Sequence, residues 1–308
     1  MNFQSTIQRR VDFNGVGIHS GEESQVSLIP APMNTGIVFK SALDANGEGF
    51  HAHVRYLRST SNAITVGVDG FSVQTIEHFM AAFYALGISN LYVQVEGPEL
   101  PILDGSCRNI VDKIEEAGIH NQNAVQDIFF IPYPIWVENG GSYLIALPGE
   151  DFKVTYTIDF SSKSSAVGTQ TAHYKIDRST FVQSIAPART FGFYEDIETL
   201  RRKKLGLGGS FANALIFTKD TLMNEGLRFA DECVRHKILD LIGDLSLVGC
   251  PLRGHFIAHK SGHAMDMELA KRIDRMMKRK RIPVHVSRQI LRKKEEEFLL
   301  FKRRLNLY

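Results

Sequence analysis

The chain has few cysteines, no long apolar run and almost no net charge. Its three cysteines, Cys107, Cys233 and Cys250, are widely spaced among 308 residues and form no Cys-x-x-Cys pair. This argues against a disulfide framework and a cysteine zinc site, and it favours a reducing compartment. No stretch of about 18 apolar residues occurs, and the N-terminus lacks the apolar run of a signal peptide. We therefore expect a cytoplasmic protein without a membrane-spanning helix.

What the chain does contain is enough apolar material for a large core, together with an uneven charge. Hydrophobic residues make up 44% of the sequence, which at this length predicts two domains of about 150 residues. The net charge is +2, yet the tail 271–308 holds 14 of the 36 basic and only 4 of the 34 acidic residues. Such a tail could attract nucleic acid or an anionic lipid surface, although a solvated helix is the simpler explanation.

The order of apolar patterns predicts an α+β fold in which two domains each have a sheet covered by helices. Alternation with period two predicts a strand at 25–29, and a strand-like run predicts another at 142–147. A helix predicted at 75–86 is followed by Gly87, a common place for a helix to end. The polar segment 120–124 has no period and is predicted to be a break. We place the domains at 1–124 and 125–270, followed by a basic, helical tail at 271–308.

The strongest chemical signal lies in the apolar stretch 234–245. His236 and Asp240 are four residues apart, so on a helix they share one face. Their neighbours are apolar on nearly every side, which is typical of a buried helix. A buried imidazole or carboxylate is costly unless a partner satisfies it, and one metal ion would satisfy both. The alternative is an internal salt-bridge cluster with the neighbouring basic residues. We expect Lys237 to point elsewhere, where it could meet an anionic substrate.

A second pair, Glu77 and His78, falls in the first turn of the helix predicted at 75–86. The positive end of a helix disfavours a protonated histidine, and neutral imidazole is the form that binds metal. Adjacent helical residues point about 100° apart, so one could bind a metal while the other handles protons of a bound water. Two histidines, one aspartate and a water would complete a catalytic zinc site. His263, on a short glycine loop at a helix start, could donate a proton, although most such histidines are structural.

Seven short motifs occur in a fixed order along the chain. They are GVGIHSGE at 15–22, TIEH at 75–78, PILDGS at 101–106, ARTFGF at 188–193, GGSF at 208–211, VRHKILDLIGD at 234–244 and KSGH at 260–263. Over about residues 1–270 the combination resembles the UDP-3-O-acyl-N-acetylglucosamine deacetylases, the zinc amidases of lipid A biosynthesis. The resemblance implies two similar two-layer α/β sandwich domains with the active site between them, each with a small insert. The second insert, about 193–215, would shape a passage for the acyl chain of the substrate.

The resemblance also implies an activity and a set of roles. The enzyme would hydrolyse the N-acetyl group of UDP-3-O-(3-hydroxyacyl)-N-acetylglucosamine to the free amine and acetate. His78, His236 and Asp240 would bind Zn²⁺, with Fe²⁺ as an alternative, while Glu77 would be the general base and His263 the general acid. The remaining implied roles are Asp244 to orient His263, Thr190 near the developing oxyanion, and Phe191, Lys237, Phe160, Lys260 and His19 in contact with substrate.

Two other functions stay open at this point. A different metal-dependent amidase would share the chemistry but not the acyl passage. A nucleic-acid or membrane-binding module would depend on the basic tail. We expect a small-molecule glycolipid substrate, no nucleic-acid partner and at most a weak contact of the tail with a membrane surface. Acyl-chain length, the metal used in the cell and the oligomeric state do not follow from the sequence.

Overall fold

The structure is a computed structural model that describes residues 3–44, 47–278 and 284–305. Its helices and sheets confirm the predicted α+β fold class. Within these ranges, no helix is both long and apolar enough to cross a membrane.

The first half of the chain is built around a five-stranded sheet. Its elements are β1 (Phe3–Ile7), β2 (Val11–Val16), β3 (Glu23–Pro30), β4 (Ile37–Ser41), β5 (Phe50–His51), β6 (Leu57–Ser59), β7 (Thr65–Val68), β8 (Phe71–Gln74), α1 (Glu77–Leu86), β9 (Leu91–Glu96), α2 (Arg108–Ala117) and β10 (Ile119–Val125). The sheet order is β2-β3-β9-β4-β5, and only β9 and β4 are parallel. Strands β6 to β8 form a small separate sheet, and β1 pairs with β10.

The second half repeats this plan. Its elements are β11 (Phe129–Phe130), β12 (Ile135–Asn139), β13 (Ser142–Leu147), β14 (Phe152–Asp159), β15 (Thr169–Lys175), α3 (Arg178–Thr180), β16 (Phe191–Phe193), α4 (Ile197–Arg202), β17 (Leu215–Phe217), α5 (Glu232–Ser246), β18 (Leu252–His259), α6 (His263–Lys278) and α7 (Val284–Arg304). The main sheet order is β12-β13-β18-β14-β15, and β18 and β14 are its one parallel pair along this path.

Both main sheets therefore have the same topology, with the last strand inserted between the second and the third. In each half one helix precedes the last strand (α1 or α5) and another follows it (α2 or α6). The equivalent helices α1 and α5 pack against each other. Both are buried on nearly all sides, because each has a sheet on one side and the other helix on the opposite side. This contact is what brings distant parts of the sequence together.

One prediction of secondary structure is wrong. The polar segment 120–124 is not a break but lies in β10, where it pairs with β1. Hydrogen bonds of polar side chains, rather than an apolar face, stabilise this strand. The Gln122 amide donates to the carbonyl of Ala31 at 2.8 Å and accepts from Asn90 at 2.6 Å. A polar strand of this kind has no hydrophobic period to reveal it.

The described part of the basic tail is helical, and the tail begins inside α6. Helix α7 contacts the edge of the second sheet through aromatic side chains. The ring of Phe301, which is 1% exposed, stacks on Trp136 with centroids 5.1 Å apart. Arg304 forms a salt bridge with Glu138 of β12. The side chains of Leu299 and Leu300, in contrast, are exposed.

Candidate active site

A close backbone approach brings the start of α1 against the middle of α5. A Cβ atom added to Gly243 would lie only 2.1 Å from the carbonyl oxygen of Glu77. Because only glycine leaves room for this carbonyl, the two helices come into contact at this point. The polar side chains that each helix carries nearby are consequently buried together, including Glu77, His78 and Asp240.

His78, His236 and Asp240 converge on one point. Each offers a donor atom, and the three donors lie within 4.8 Å of one another. The Nε2 atoms of His78 and His236 are 3.8 and 3.3 Å from Oδ1 of Asp240. This spacing suits a single divalent ion with a position left for water. In the described ranges, this is the only group of three or more such residues found.

The protonation states of these three residues also suit a metal ion. Burial lowers the pKa of His78 to about 3, and the neighbouring His236 contributes to the shift. Burial likewise lowers the pKa of His236, despite the opposing charge of Asp240. The Nδ1 atom of His236 lies 3.0 Å from the carbonyl oxygen of Ala188, which orients its Nε2 towards Asp240. Both imidazoles are thus neutral at neutral pH, as metal binding requires.

Lys237 does not point away from this site, so that prediction is wrong. Its Nζ donates to Oδ2 of Asp240 at 2.7 Å, and its side chain is only 15% exposed. Burial raises the pKa of Asp240, but the Lys237 ammonium and the nearby imidazoles outweigh it and hold that pKa well below its usual range. Of the salt-bridge cluster considered from the sequence, the Lys237–Asp240 pair is therefore present. It engages Oδ2, while Oδ1 faces the two histidines.

Glu77, His263 and Asp244 form a second group beside the first. The Nε2 of His263 is 3.8 Å from Oε1 of Glu77, and its Nδ1 is 2.7 Å from Oδ2 of Asp244. The N–H of Ile64 donates to the other oxygen of Glu77 at 3.2 Å. These contacts hold a carboxylate and an imidazole next to each other at the edge of the three-donor cluster.

The same group has shifted pKa values with opposite consequences. Burial raises the pKa of Glu77 to about 8, although His263 opposes the shift. Burial lowers the pKa of His263, but the charge and hydrogen bond of Asp244 outweigh it and, with Glu77, raise that pKa to about 10. One side chain is thus a carboxyl group that titrates near neutral pH, and the other is an imidazolium. Such a pair suits proton transfer in both directions.

The aromatic and basic residues predicted to contact substrate lie at different distances from this centre. The rings of Phe160 and Phe191 have centroids 5.5 Å apart, and the ring of Phe191 is 6.4 Å from that of His236. Lys260 is exposed, with its Nζ 3.7 Å from Oδ2 of Asp159. The structure therefore brings Phe191 close to the cluster and leaves Lys260 at the surface.

Thr190 and His19 are positioned by loops. The N–H of Thr190 donates to the carbonyl of Gly105 at 2.8 Å, just before β16 begins. Burial lowers the pKa of His19, although the nearby Glu99 carboxylate opposes the shift. Its loop also contacts the second insert, since the N–H of Leu207 donates to the carbonyl of His19 at 3.1 Å.

Sequence reasoning overlooked several buried carboxylates, among them Glu99 and Asp266. The hydroxyl of Ser261 donates to Asp266 at 2.5 Å, and burial, together with the charge of Asp244, raises the pKa of Asp266 to about 8. An acidic residue in the first turn of a helix is common because of the helix dipole, so nothing in the sequence distinguishes it. Glu99 lies between Pro98 and Pro101, in a segment whose residues are typical of a loop.

Comparison with known proteins gives consistent matches. The family model described as UDP-3-O-acyl N-acetylglycosamine deacetylase matches residues 4–275. The UDP-3-O-acyl-N-acetylglucosamine deacetylase of Leptospira biflexa is 43% identical over 270 residues, which are 87% of this chain and 88% of that protein. The protein of the same name from Thermodesulfovibrio yellowstonii is 39% identical over 273 residues, which are 89% of this chain and 92% of that protein. The one from Chlamydia muridarum is 40% identical over 271 residues, which are 88% of this chain and 94% of that protein. The resemblance predicted from the seven motifs is confirmed.

Proposed function

Because the chain belongs to the UDP-3-O-acyl N-acetylglycosamine deacetylase family, we propose that it hydrolyses the N-acetyl amide of UDP-3-O-(3-hydroxyacyl)-N-acetylglucosamine in lipid A biosynthesis. The observation that carries the proposal is the convergence of His78, His236 and Asp240 beside Glu77 and His263. Two neutral imidazoles and one ionised carboxylate fit Zn²⁺, and Fe²⁺ is the alternative. When bound, the ion would lower the pKa of a water molecule and polarise the amide carbonyl.

The residues around the ion supply the proton transfers. Glu77 accepts a proton from the attacking water, whose oxygen adds to the acetyl carbon. The carbon–nitrogen bond then breaks, and His263 donates its proton to the departing amine. Asp244 holds His263 through Nδ1, so that Nε2 faces the reaction. Thr190 stabilises the oxyanion. The products are the free 2-amino group and acetate.

The surroundings of the site support a nucleotide-sugar substrate with an acyl chain. In this proposal Phe160 and Phe191 form an apolar wall beside the cluster, and Lys260 and His19 contact the polar part of the substrate. Lys237 contacts substrate in addition to its pairing with Asp240. The insert at 193–215 lines the acyl passage with, among others, Leu207 and Phe211, which are 52% and 56% exposed and so available to an apolar ligand. The proposed domains are residues 1–124 and 125–270.

The test is an assay of purified protein with the UDP-sugar substrate. We expect about one divalent metal ion per chain, acetate release that a chelator abolishes, and recovery on adding Zn²⁺. A substrate without the long O-acyl chain should be a much poorer substrate. Equal turnover of both substrates would favour a different amidase. Absence of deacetylation by metal-loaded, folded protein would contradict the proposed function itself.

Replacing Asp244 by asparagine should move the basic limb of the pH profile of kcat/KM to lower pH. The Asp244 charge raises the pKa of His263, so without it the imidazolium loses its proton at lower pH. Because the general acid must be protonated, activity should fall more at pH 9 than at pH 6. The profile is measured from pH 5 to 10. An equal loss at every pH would mean that Asp244 acts in another way.

The basic tail supports a weak contact with an anionic membrane surface. Helix α7 contacts the protein through Phe301, while Leu299 and Leu300 remain exposed near Arg303 and Arg304. Exposed apolar residues beside basic residues are typical of segments that bind the surface of an anionic membrane. The protein should co-sediment with phosphatidylglycerol vesicles but not with phosphatidylcholine vesicles. Its binding should weaken as salt is added, and it should also weaken in the double variant Leu299→Ser/Leu300→Ser. The cytoplasmic location stays a prediction from the sequence.

A further inference from the structure

Glu99 is a buried carboxylate that connects two loops leading to the active site. Its side chain is 0% exposed. Among the residues that the structure describes, its hydrogen-bond partners are backbone N–H groups and one hydroxyl. The N–H of His19 lies 3.0 and 3.1 Å from the two carboxylate oxygens, and the N–H of Ser20 donates to Oε2 at 2.7 Å. The hydroxyl of Thr75 donates to Oε1 at 2.6 Å. A buried charge with so many donors has a fixed position.

Thr75 has an unusual backbone conformation. Its φ is 57°, in the left-handed region that a β-branched residue adopts only under strain. It lies two residues before Glu77 and three before His78, so its conformation determines how the chain enters α1. The hydroxyl of Thr75 does not cap this helix but binds Glu99. The carboxylate is therefore a contact that can hold the strained turn in place.

The position of Glu99 is set by backbone pairing with the strand that leads to this turn. The N–H of Gln74 donates to the carbonyl of Pro98 at 3.1 Å, and the N–H of Leu100 donates to the carbonyl of Gln74 at 3.0 Å. On the other side, the loop that carries His19 packs tightly on the carboxylate. A Cβ atom added to Gly17 would lie 2.2 Å from Oε2 of Glu99. Both loops thus depend on one side chain.

We propose that Glu99 is a positioning residue, which holds Thr75 in its left-handed conformation and thereby sets the places of Glu77 and His78, and which fixes the loop of His19. It does not touch the reacting atoms. The inference rests on the proposed function for its kinetic consequences, whereas its structural consequence can be measured separately. In Glu99→Gln the side chain keeps its size but loses its charge and turns an amide group towards the three donors.

The experiment compares Glu99→Gln, Thr75→Val and Thr75→Ser. Glu99→Gln and Thr75→Val should lower kcat roughly 10- to 100-fold, as expected of displaced catalytic groups, with little change in KM and with weaker Zn²⁺ binding in a chelator competition. Thr75→Ser keeps the hydroxyl and should retain most activity. Ser20→Ala is the control, because Ser20 contacts Glu99 through its backbone N–H alone. Circular dichroism verifies that each variant is folded. If Glu99→Gln does not fold, the comparison of Thr75→Val with Thr75→Ser tests whether the hydroxyl contact with Glu99 is needed.

A crystal structure of Glu99→Gln gives a readout that does not depend on catalysis. We expect the φ of residue 75 to leave the left-handed region and the start of α1 to shift. Unchanged backbone at residue 75, or wild-type kcat and Zn²⁺ affinity in folded Glu99→Gln, would overturn the inference. So would equal losses in Thr75→Ser and Thr75→Val. Inactive wild-type protein would instead count against the proposed function, and the crystal structure would still test Glu99.

Discussion

Replacing Glu77 by glutamine should lower the maximal kcat by roughly 10²- to 10⁴-fold, the usual contribution of a general base. Glutamine has nearly the same shape, so its side-chain oxygen can still accept the hydrogen bond from the N–H of Ile64. It cannot accept a proton from water. Since the carboxylate is not among the three converging donors, metal content should remain that of the wild type. The chemistry is therefore lost while the site persists.

The measurement is acetate release over the full pH range, with metal content determined on the same samples. The full range is needed because Glu77 also helps to raise the pKa of His263, so the variant can have a shifted pH optimum. Comparing maxima separates that shift from the loss of the base. A metal-loaded Glu77→Gln protein with wild-type kcat would show that another group accepts the proton.

Replacing Asp240 by alanine should remove both the activity and a large part of the stability. The variant loses one of three metal donors, and we expect a decrease in Zn²⁺ affinity of more than about 100-fold, beyond what loss of an outer partner causes. It also leaves the buried ammonium of Lys237 without its 2.7 Å partner. Removing one member of a buried ion pair costs about 3–5 kcal/mol of the free energy of unfolding.

Urea unfolding of metal-free protein measures the stability loss, because bound metal would add its own contribution. The double variant Asp240→Ala/Lys237→Met removes the unpaired charge and should recover most of the stability without any activity. Asp231→Ala, at the residue immediately before α5, is the matched control. It removes the partner of Arg235 in a more exposed pair and should cost less than about 1 kcal/mol. Asp240→Ala protein as stable as the wild type would contradict the role assigned to this ion pair.

Local spacing was sufficient to predict the parts of the site that lie on one helix. His236 and Asp240 share a face because they are four residues apart, and Glu77 and His78 are adjacent in the first turn of α1. The all-round apolar character of both helices indicated that they are buried. These inferences need only the geometry of a helix and the cost of burying polar groups.

The same reasoning failed for Lys237 and for segment 120–124. A lysine side chain has several rotatable bonds, and whether it turns towards Asp240 depends on what surrounds the helix. The polar strand β10 forms because β1 and the amide of Gln122 satisfy it. In both cases the deciding partner lies elsewhere in the fold, so no local pattern records it.

The residue types needed for hydrolysis, their placement on two buried helices and the family resemblance can all be derived from the order of amino acids. That α1 meets α5, and at which turn, follows from the packing of these two helices against each other and from the space left at Gly243. The contacts of Glu99 and the orientation of His236 by the carbonyl of Ala188 are likewise tertiary. The physical reason is that helix periodicity acts over a few residues. Close packing and hydrogen bonds to backbone groups instead join segments that are far apart in the chain.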